Sequence, residues 1–328
     1  MTSSYHNYSK PLLNIYLFIQ VFYLCTTHSF QIPARTSSFA PRTSRTSIFF
    51  WNTNPPPAPP PQLPITELPS DFPDAVSRAV QCAVEGMSAK KRCRIEFDTS
   101  VADQTYSSLH HSLPFIKLFT KTIMDKLDLS IYPPKEGAEG GPSLDKAVRI
   151  FLPDMGAAAM VRSDWKLGTG EDDLPLNIAT SNILNDVVDE RDKCVIIACP
   201  LYSEADAVKR ILADCDDRNL PCILINPKLV NPDQGYGVRA KLLQSDVIAA
   251  TPFVYQLRTL SVGAIAHEFG KGFTIWLQDE REDIGYSLHQ TFDTEPPNAD
   301  VIQIVREVEA KRAKKEDSAF EALTQGLG

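Results

Sequence analysis

The sequence predicts an α/β fold: a central mixed, largely parallel sheet with helices on both faces, Rossmann-like, followed by a C-terminal antiparallel meander. Three observations predict it. First, three short runs, VRIFL at 148–152, CVIIA at 194–198 and CILI at 222–225, are almost wholly apolar and rich in β-branched residues, as strands covered on both faces must be. Second, segments with apolar residues every three or four positions interleave with those runs, so that strand, polar turn, helix and strand recur as βαβ units. Third, residues 253–260, 263–269 and 273–277 read as strands separated only by Ser261-Val262 and by Gly270-Lys271-Gly272. Such connections suit antiparallel neighbours and are too short for a crossover.

The elements follow in order. Asp71 is placed to cap a helix in which Phe72, Val76, Ala79, Val80, Ala83, Val84 and Met87 form one apolar stripe. Cys93, Ile95 and Phe97 then alternate with Arg94 and Glu96, the period of a strand with one face wetter than the other. A second amphipathic segment passes through Leu109, Leu113, Ile116, Phe119, Ile123 and Leu127 and is expected to start or kink at Pro114. The Gly/Pro-rich stretch 133–142 reads as an inserted loop. Asp154 is expected to cap a helix over 155–165, and Ser203 with Asp206 three residues later predicts a capping box opening a helix over 204–215. Residues 300–316, with Val301, Ile304, Val305 and Val308 on one side, read as a charged helix at the domain edge.

Charge divides the chain. Of 328 residues, 41 are acidic and 33 are lysine or arginine, a net charge of -8. None of the acids precedes Glu67, whereas Lys10, Arg35, Arg42 and Arg45 do, so the remainder carries 29 basic residues against 41 acids, a net of -12. Nucleic-acid binding rests on clustered cations that neutralise phosphates, and this balance argues against such a partner. The acid-free part reads as targeting sequence. Lys10 precedes the apolar core LLNIYLFIQVFYLC at 12–25, the length of a signal-peptide core and short of a bilayer span; Thr27 and Ser29 follow as the small residues a signal peptidase reads. SSFAPRTSRTS, rich in Ser, Thr and Arg, comes next. The organisation is then a signal peptide (1–29), a transit-like segment (30–54), a linker (55–66) containing PPPAPPP, an α/β domain (67–299) and a charged helix and tail (300–328). The proline run favours extended polyproline II and hence a stiff spacer. A signal peptide followed at once by a transit-like segment resembles the bipartite presequences of algal plastids bounded by extra membranes, with Phe30 and Phe39 as alternatives for the phenylalanine after the first cleavage. The expected destination is the plastid stroma or an association with the thylakoid, with no transmembrane span in the mature protein; the alternative reading of the leader is a single signal anchor on a secreted or membrane protein.

The string FLPDMGAAAMVRSDW (151–165), the strand and its close CILINPKL (222–229), and the stretch from FVYQLRTL to FTIWL resemble the plastid and cyanobacterial family known as the domain of unknown function numbered nineteen ninety-five. That family includes a plant protein named for low photosystem II accumulation. The resemblance implies an auxiliary or assembly factor of photosystem and thylakoid biogenesis, with assembly proteins as partners.

Chemical motifs are sparse. There is no Walker loop, and Gly168-Thr169-Gly170 lacks the third glycine of a dinucleotide fingerprint. His110-His111, His267 and His289 have no ligand-spaced companion, and no C-x-x-C occurs. Cys82, Cys93, Cys194, Cys215 and Cys222 fall on helix or strand patterns as small buried apolar residues. No catalytic residue, metal or cofactor is therefore assigned. One constellation stands out. If the three apolar runs are parallel neighbours, their carboxyl ends place Asp154, Ser203 and Asn226 along one rim, where open α/β sheets hold ligands. The alternative to the auxiliary reading is accordingly a small-molecule binder or enzyme with a nucleotide- or phosphate-type ligand at that rim.

Overall fold

The computed structural model describes residues 63–325, apart from 89, 101–107, 135–144, 231–237, 280 and 283. The expected signal peptide and transit-like segment, most of the proline spacer and most of the inserted loop lie outside the described residues. Within them the chain forms α1 (Phe72–Gly86), β1 (Arg92–Asp98), α2 (Ser108–Lys126), β2 (Ala147–Leu152), α3 (Met155–Asp164), β3 (Ile178–Asn182), β4 (Asp192–Ala198) and α4 (Ala205–Asp217). It continues through β5 (Cys222–Ile225), α5 (Val238–Leu243) with a π-helical turn at Gln244–Ile248, β6 (Phe253–Leu260), β7 (Gly263–Glu268), β8 (Phe273–Gln278), β9 (Tyr286–Phe292) and α6 (Asn298–Gln325). No helix among the described residues is long and apolar enough to cross a membrane.

These strands build one sheet in the order β3-β2-β4-β5-β1-β6-β7-β8-β9. From β3 to β6 every pair is parallel, and from β6 to β9 every pair is antiparallel. The three apolar runs are therefore parallel neighbours as expected, and the C-terminal part is a meander, extended by β9. Chain connections step from β1 out to β2 and β3 through α2 and α3, then return from β4 to β5 and on to β6 through α4 and α5. Opposite directions of travel demand opposite faces if all crossovers share one hand. The cores obey this. α1, α2 and α3 share an apolar core with Cys93, Ile95, Val148, Ile150, Cys194, Ile196 and Ile223. α4, α5 and the π-helical turn cover the other face through Phe151, Val195, Ile197, Cys222 and Leu224. On the first face Phe97 stacks on Phe115 of α2, ring centres 4.3 Å apart, and Phe115 stacks on Phe119, a geometry that adds to the burial of three aromatic rings.

Local chemistry explains the boundaries. The Asp71 side chain accepts the Asp74 N–H at the start of α1, whose Pro73 falls in the first turn where its missing N–H costs nothing. α2 runs past Pro114 without ending there; the helix begins at Ser108, so that proline sits in its second turn. Ser203 does not cap the helix that follows it. A 3-10 turn at Tyr202–Glu204 intervenes, and the Glu204 carboxylate accepts the Leu201 N–H and the Ser203 hydroxyl. The longer Glu204 side chain reaches back where the Ser203 hydroxyl does not, so α4 starts at Ala205. Residues before α1 also join the fold: Thr66 is buried, donates to the Gly272 carbonyl and accepts from Thr274 through its own carbonyl. α6 begins at Asn298, and its Val301 and Ile304 pack with Ile265 and Ile275 of β7 and β8.

Candidate functional site

Two neighbouring strand pairs send their chains to opposite faces at the carboxyl edge, β2 beside β4 and β5 beside β1. Such switch points are where open α/β sheets leave a crevice. Asp154 and Ser203 follow the first pair, and Asn226 directly follows β5 at the second. Each is engaged in the fold. Asp154 caps α3, its Oδ1 accepting the Ala157 N–H at 2.8 Å. The Ser203 hydroxyl donates to Glu204 Oε1 at 2.6 Å. Asn226 Oδ1 accepts the Phe97 N–H at 2.6 Å, and its Nδ2 donates to the Phe97 carbonyl and to Ser112 Oγ, each at 2.8 Å. Asn226 thus spans the crevice between β5 and β1. Both it and Cys199, the residue after β4, have left-handed backbone, at φ 49 and 50, and both precede a proline; asparagine tolerates that region and cysteine rarely adopts it. The Cys199 thiol is buried beside Ser112, and burial pushes it up to about 11.

A second group of side chains lies on the sheet face that carries α4 and α5. β1 sends Cys93, Ile95 and Phe97 to the opposite face, so Arg94 and Glu96 point this way. Gln256 and Arg258 of β6 lie beside them. Arg258 pairs with Ile265, which packs under α6, so α5 and α6 cover the same face and leave the β1–β6 seam between them. Four polar side chains occupy that seam. Arg94, 8% exposed, donates from Nη1 to Glu96 and from Nη2 to Glu295, both at 3.2 Å. Its guanidinium carbon lies 4.0 Å from the centre of the Phe253 ring, a cation–π contact that fixes the guanidinium plane. Gln256 donates to Glu96 Oε2, and Arg258 to Asn298 Oδ1. Burial raises the Glu96 carboxyl above its usual range; the Arg94 charge works against this and the Glu295 charge with it. Arg94 Nε, Gln256 Oε1 and Arg258 Nε are buried without a hydrogen-bond partner among the described residues. Unpaired buried polar atoms of this kind are uncommon in folded proteins and call for an explanation.

Arg94 forms part of the wall of a cleft of about 600 Å³, a volume within the range of roughly 300 to 1,000 Å³ typical of small-molecule sites. Leu229 and Val230, just after β5, and Ile248 of the π-helical turn line it with apolar surface; Lys241 of α5 and Asn298 at the start of α6 add polar groups. π-Helical turns recur at functional sites. The cleft adjoins the β5/β1 switch point, because Pro227, which follows Asn226, is also in its wall. Chemically it offers a fixed guanidinium beside apolar surface, an arrangement suited to holding an anion by its edge. Among the described residues no three His, Cys, Asp or Glu side chains are grouped as a metal ion requires.

The alternation of Arg94 and Glu96 with apolar residues signals the wet face of β1. That this face meets Gln256 and Arg258 is the part that sequence reasoning misses; the one available signal is the spacing of Gln256 and Arg258, two positions apart, inside the largely apolar run FVYQLRTL.

No curated protein matches the chain. A family model described as "Domain of unknown function (DUF1995)" matches residues 69–303, a span that takes in every strand of the sheet and the first turns of α6. The chain belongs to that family, and the matched residues take in the mixed sheet described above, nine-stranded among the described residues.

Proposed function

We propose that the chain is a plastid-imported binding protein, an auxiliary of photosystem or thylakoid biogenesis rather than a catalyst, and that it works through the cleft walled by Arg94. The cleft carries this reading, since it opens beside a switch point of the sheet and presents a held charge next to apolar surface. The engagement of Asp154, Ser203 and Asn226 by their own backbone and neighbours supports a non-catalytic role. The plastid address rests on the acid-free leader with its apolar core and Ser/Thr/Arg segment. The test is expression of the tagged full chain, followed by plastid fractionation and affinity purification. Recovery from the stroma or thylakoid surface with photosystem assembly intermediates, lost in Lys241→Glu, supports it; secretion, or equal recovery with that variant, overturns it.

A second reading is favoured by the three unpartnered buried atoms of the β1–β6 seam: the occupant of the cleft is a small molecule. Melting shifts from a panel of plastid metabolites, abolished by Lys241→Glu, support it. The rim ligand expected from Asp154, Ser203 and Asn226 is separable, because it predicts shifts abolished by Asp154→Ala and unaffected by Lys241→Glu.

A further inference from the structure

We propose that the cleft takes an organic monocarboxylate with an apolar body, and that Glu295 is the internal carboxylate this ligand displaces from Arg94. The inference rests on the second reading above and names its ligand class.

Arginine presents two parallel donors along its Nε–Nη2 edge, matched to the two oxygens of one carboxylate. On Arg94 that edge is half used. Nη2 holds Glu295 by one bond at 3.2 Å, while Nε is buried with no partner. The other terminal nitrogen is committed to Glu96, and the ring of Phe253 sets the plane. The guanidinium is therefore pre-positioned for a two-point carboxylate contact that its present partner does not complete.

Glu295 is suited to leave. Its side chain is 49% exposed, against 9% for that of Arg94, so it returns to water on release. It stands among residues 293–297, between the end of β9 and the start of α6. Exchanging one carboxylate for another leaves the charge around Arg94 unchanged, which avoids the cost of an unbalanced buried ion. A dianion such as phosphate adds a second negative charge close to the Glu96 carboxylate, which like-charge repulsion disfavours. The remaining walls, Leu229, Val230 and Ile248, take up apolar surface, and Lys241 adds a second cation.

The test is isothermal titration of the full chain with sodium octanoate, its neutral isostere octanamide, and octylamine, for the wild type, Glu295→Gln and Arg94→Gln. Octanoate is expected to bind at least tenfold more tightly than octanamide, and Glu295→Gln is expected to tighten octanoate at least about threefold, because removing the internal competitor raises the competent population. Arg94→Gln is expected to abolish octanoate binding; as this change also strips Glu96 of its charged partner, Glu295→Gln decides the matter where Arg94→Gln fails to fold. Equal affinity for octanoate and octanamide, or an unchanged or weaker octanoate affinity in Glu295→Gln, overturns the proposal. If octanamide or octylamine then binds and Lys241→Glu abolishes that binding, the small-molecule reading survives without the carboxylate. If none of the three compounds binds any of the proteins, both fall.

Discussion

Asn226 holds the peptide groups on both sides of Phe97: its Oδ1 accepts the N–H at 2.6 Å and its Nδ2 donates to the carbonyl at 2.8 Å. A side chain from the end of β5 thereby does for β1 what another residue of β5 would have done, since β5 stops at Ile225 while β1 continues to Asp98. Asn226→Ala leaves two buried backbone groups of Phe97 without partners and is expected to destabilise the fold by about 3 kcal/mol, measured by urea denaturation. Asn226→Gly loses the same bridge but accepts φ 49 without strain. It is expected to be roughly 1 kcal/mol less damaging than the alanine change. Equal losses mean that the backbone conformation carries no strain.

Asp154→Ala removes the cap of α3. The expected loss is about 1 kcal/mol, read as a lower melting temperature with the sheet signal intact by circular dichroism. Asp154→Asn retains an acceptor for the Ala157 N–H and is expected to recover most of it.

Gly263 opens β7 opposite Leu277, where an added Cβ meets the Trp276 carbonyl oxygen at 1.9 Å. Backbone cannot swing aside as a side-chain end does. Gly263→Ala is expected to cost at least about 3 kcal/mol, with amide exchange accelerated first in β7 and β8.

His267 stacks on Phe273, ring centres 3.9 Å apart, with Nε2 at 3.3 Å from the Phe253 carbonyl. Burial pulls its pKa below the ordinary value, and the facing carbonyls of Phe253, Gly272 and Lys271 and the Glu295 charge oppose this only in part. The unfolded chain then binds a proton more readily than the folded one. The stability due to neutral His267 is fully present above about pH 6.5 and is lost as pH falls through the lower folded value. Between about pH 7.5 and 5, the melting temperature of the wild type is expected to fall more steeply than that of His267→Phe. Parallel curves would refute this.

Cys82, Cys93, Cys194, Cys199, Cys215 and Cys222 are buried and unpaired in disulfides. Burial pushes the Cys194 thiol up to about 12 and those of Cys82 and Cys199 up to about 11; the Cys222 thiol is raised chiefly by its hydrogen bond with Cys215. Thiolate is the reactive form. Mass spectrometry after iodoacetamide at neutral pH is expected to find these six unlabelled until denaturant is added. Early labelling of Cys194 or Cys199 would instead point to local opening of β4.

Most of the parallel sheet was legible in the sequence because its strands are covered on both faces, which forces continuous apolar runs such as 194–198. β3 and β9 left no such trace, for different reasons. β3 reads IATSN, and its polar side chains are satisfied by tertiary partners: Thr180 donates to the Ala158 carbonyl and Ser181 accepts from Arg149. β9 is an edge strand that buries almost nothing; Leu288, His289, Gln290 and Thr291 are all exposed, so no period was imposed on it. The caps at Asp71 and Asp154 were local and legible. The cleft was not, because it depends on β1 lying beside β6, a pairing of residues about 160 positions apart that no local pattern encodes.

Among the described residues the first strand in chain order, β1, is the fifth in the sheet, and its two flanking strands are β5 and β6. A chain emerging N-terminus first, whether from a ribosome or a translocation pore, carries β1 with no strand to dock against until Cys222–Ile225 appears, and the two halves of the sheet stay unjoined until Phe253–Leu260 follows. Closure over so long a loop is entropically costly and slow. Nascent chains halted before residue 222 should therefore remain protease-sensitive, and protection should arrive abruptly once β6 is free of the tunnel.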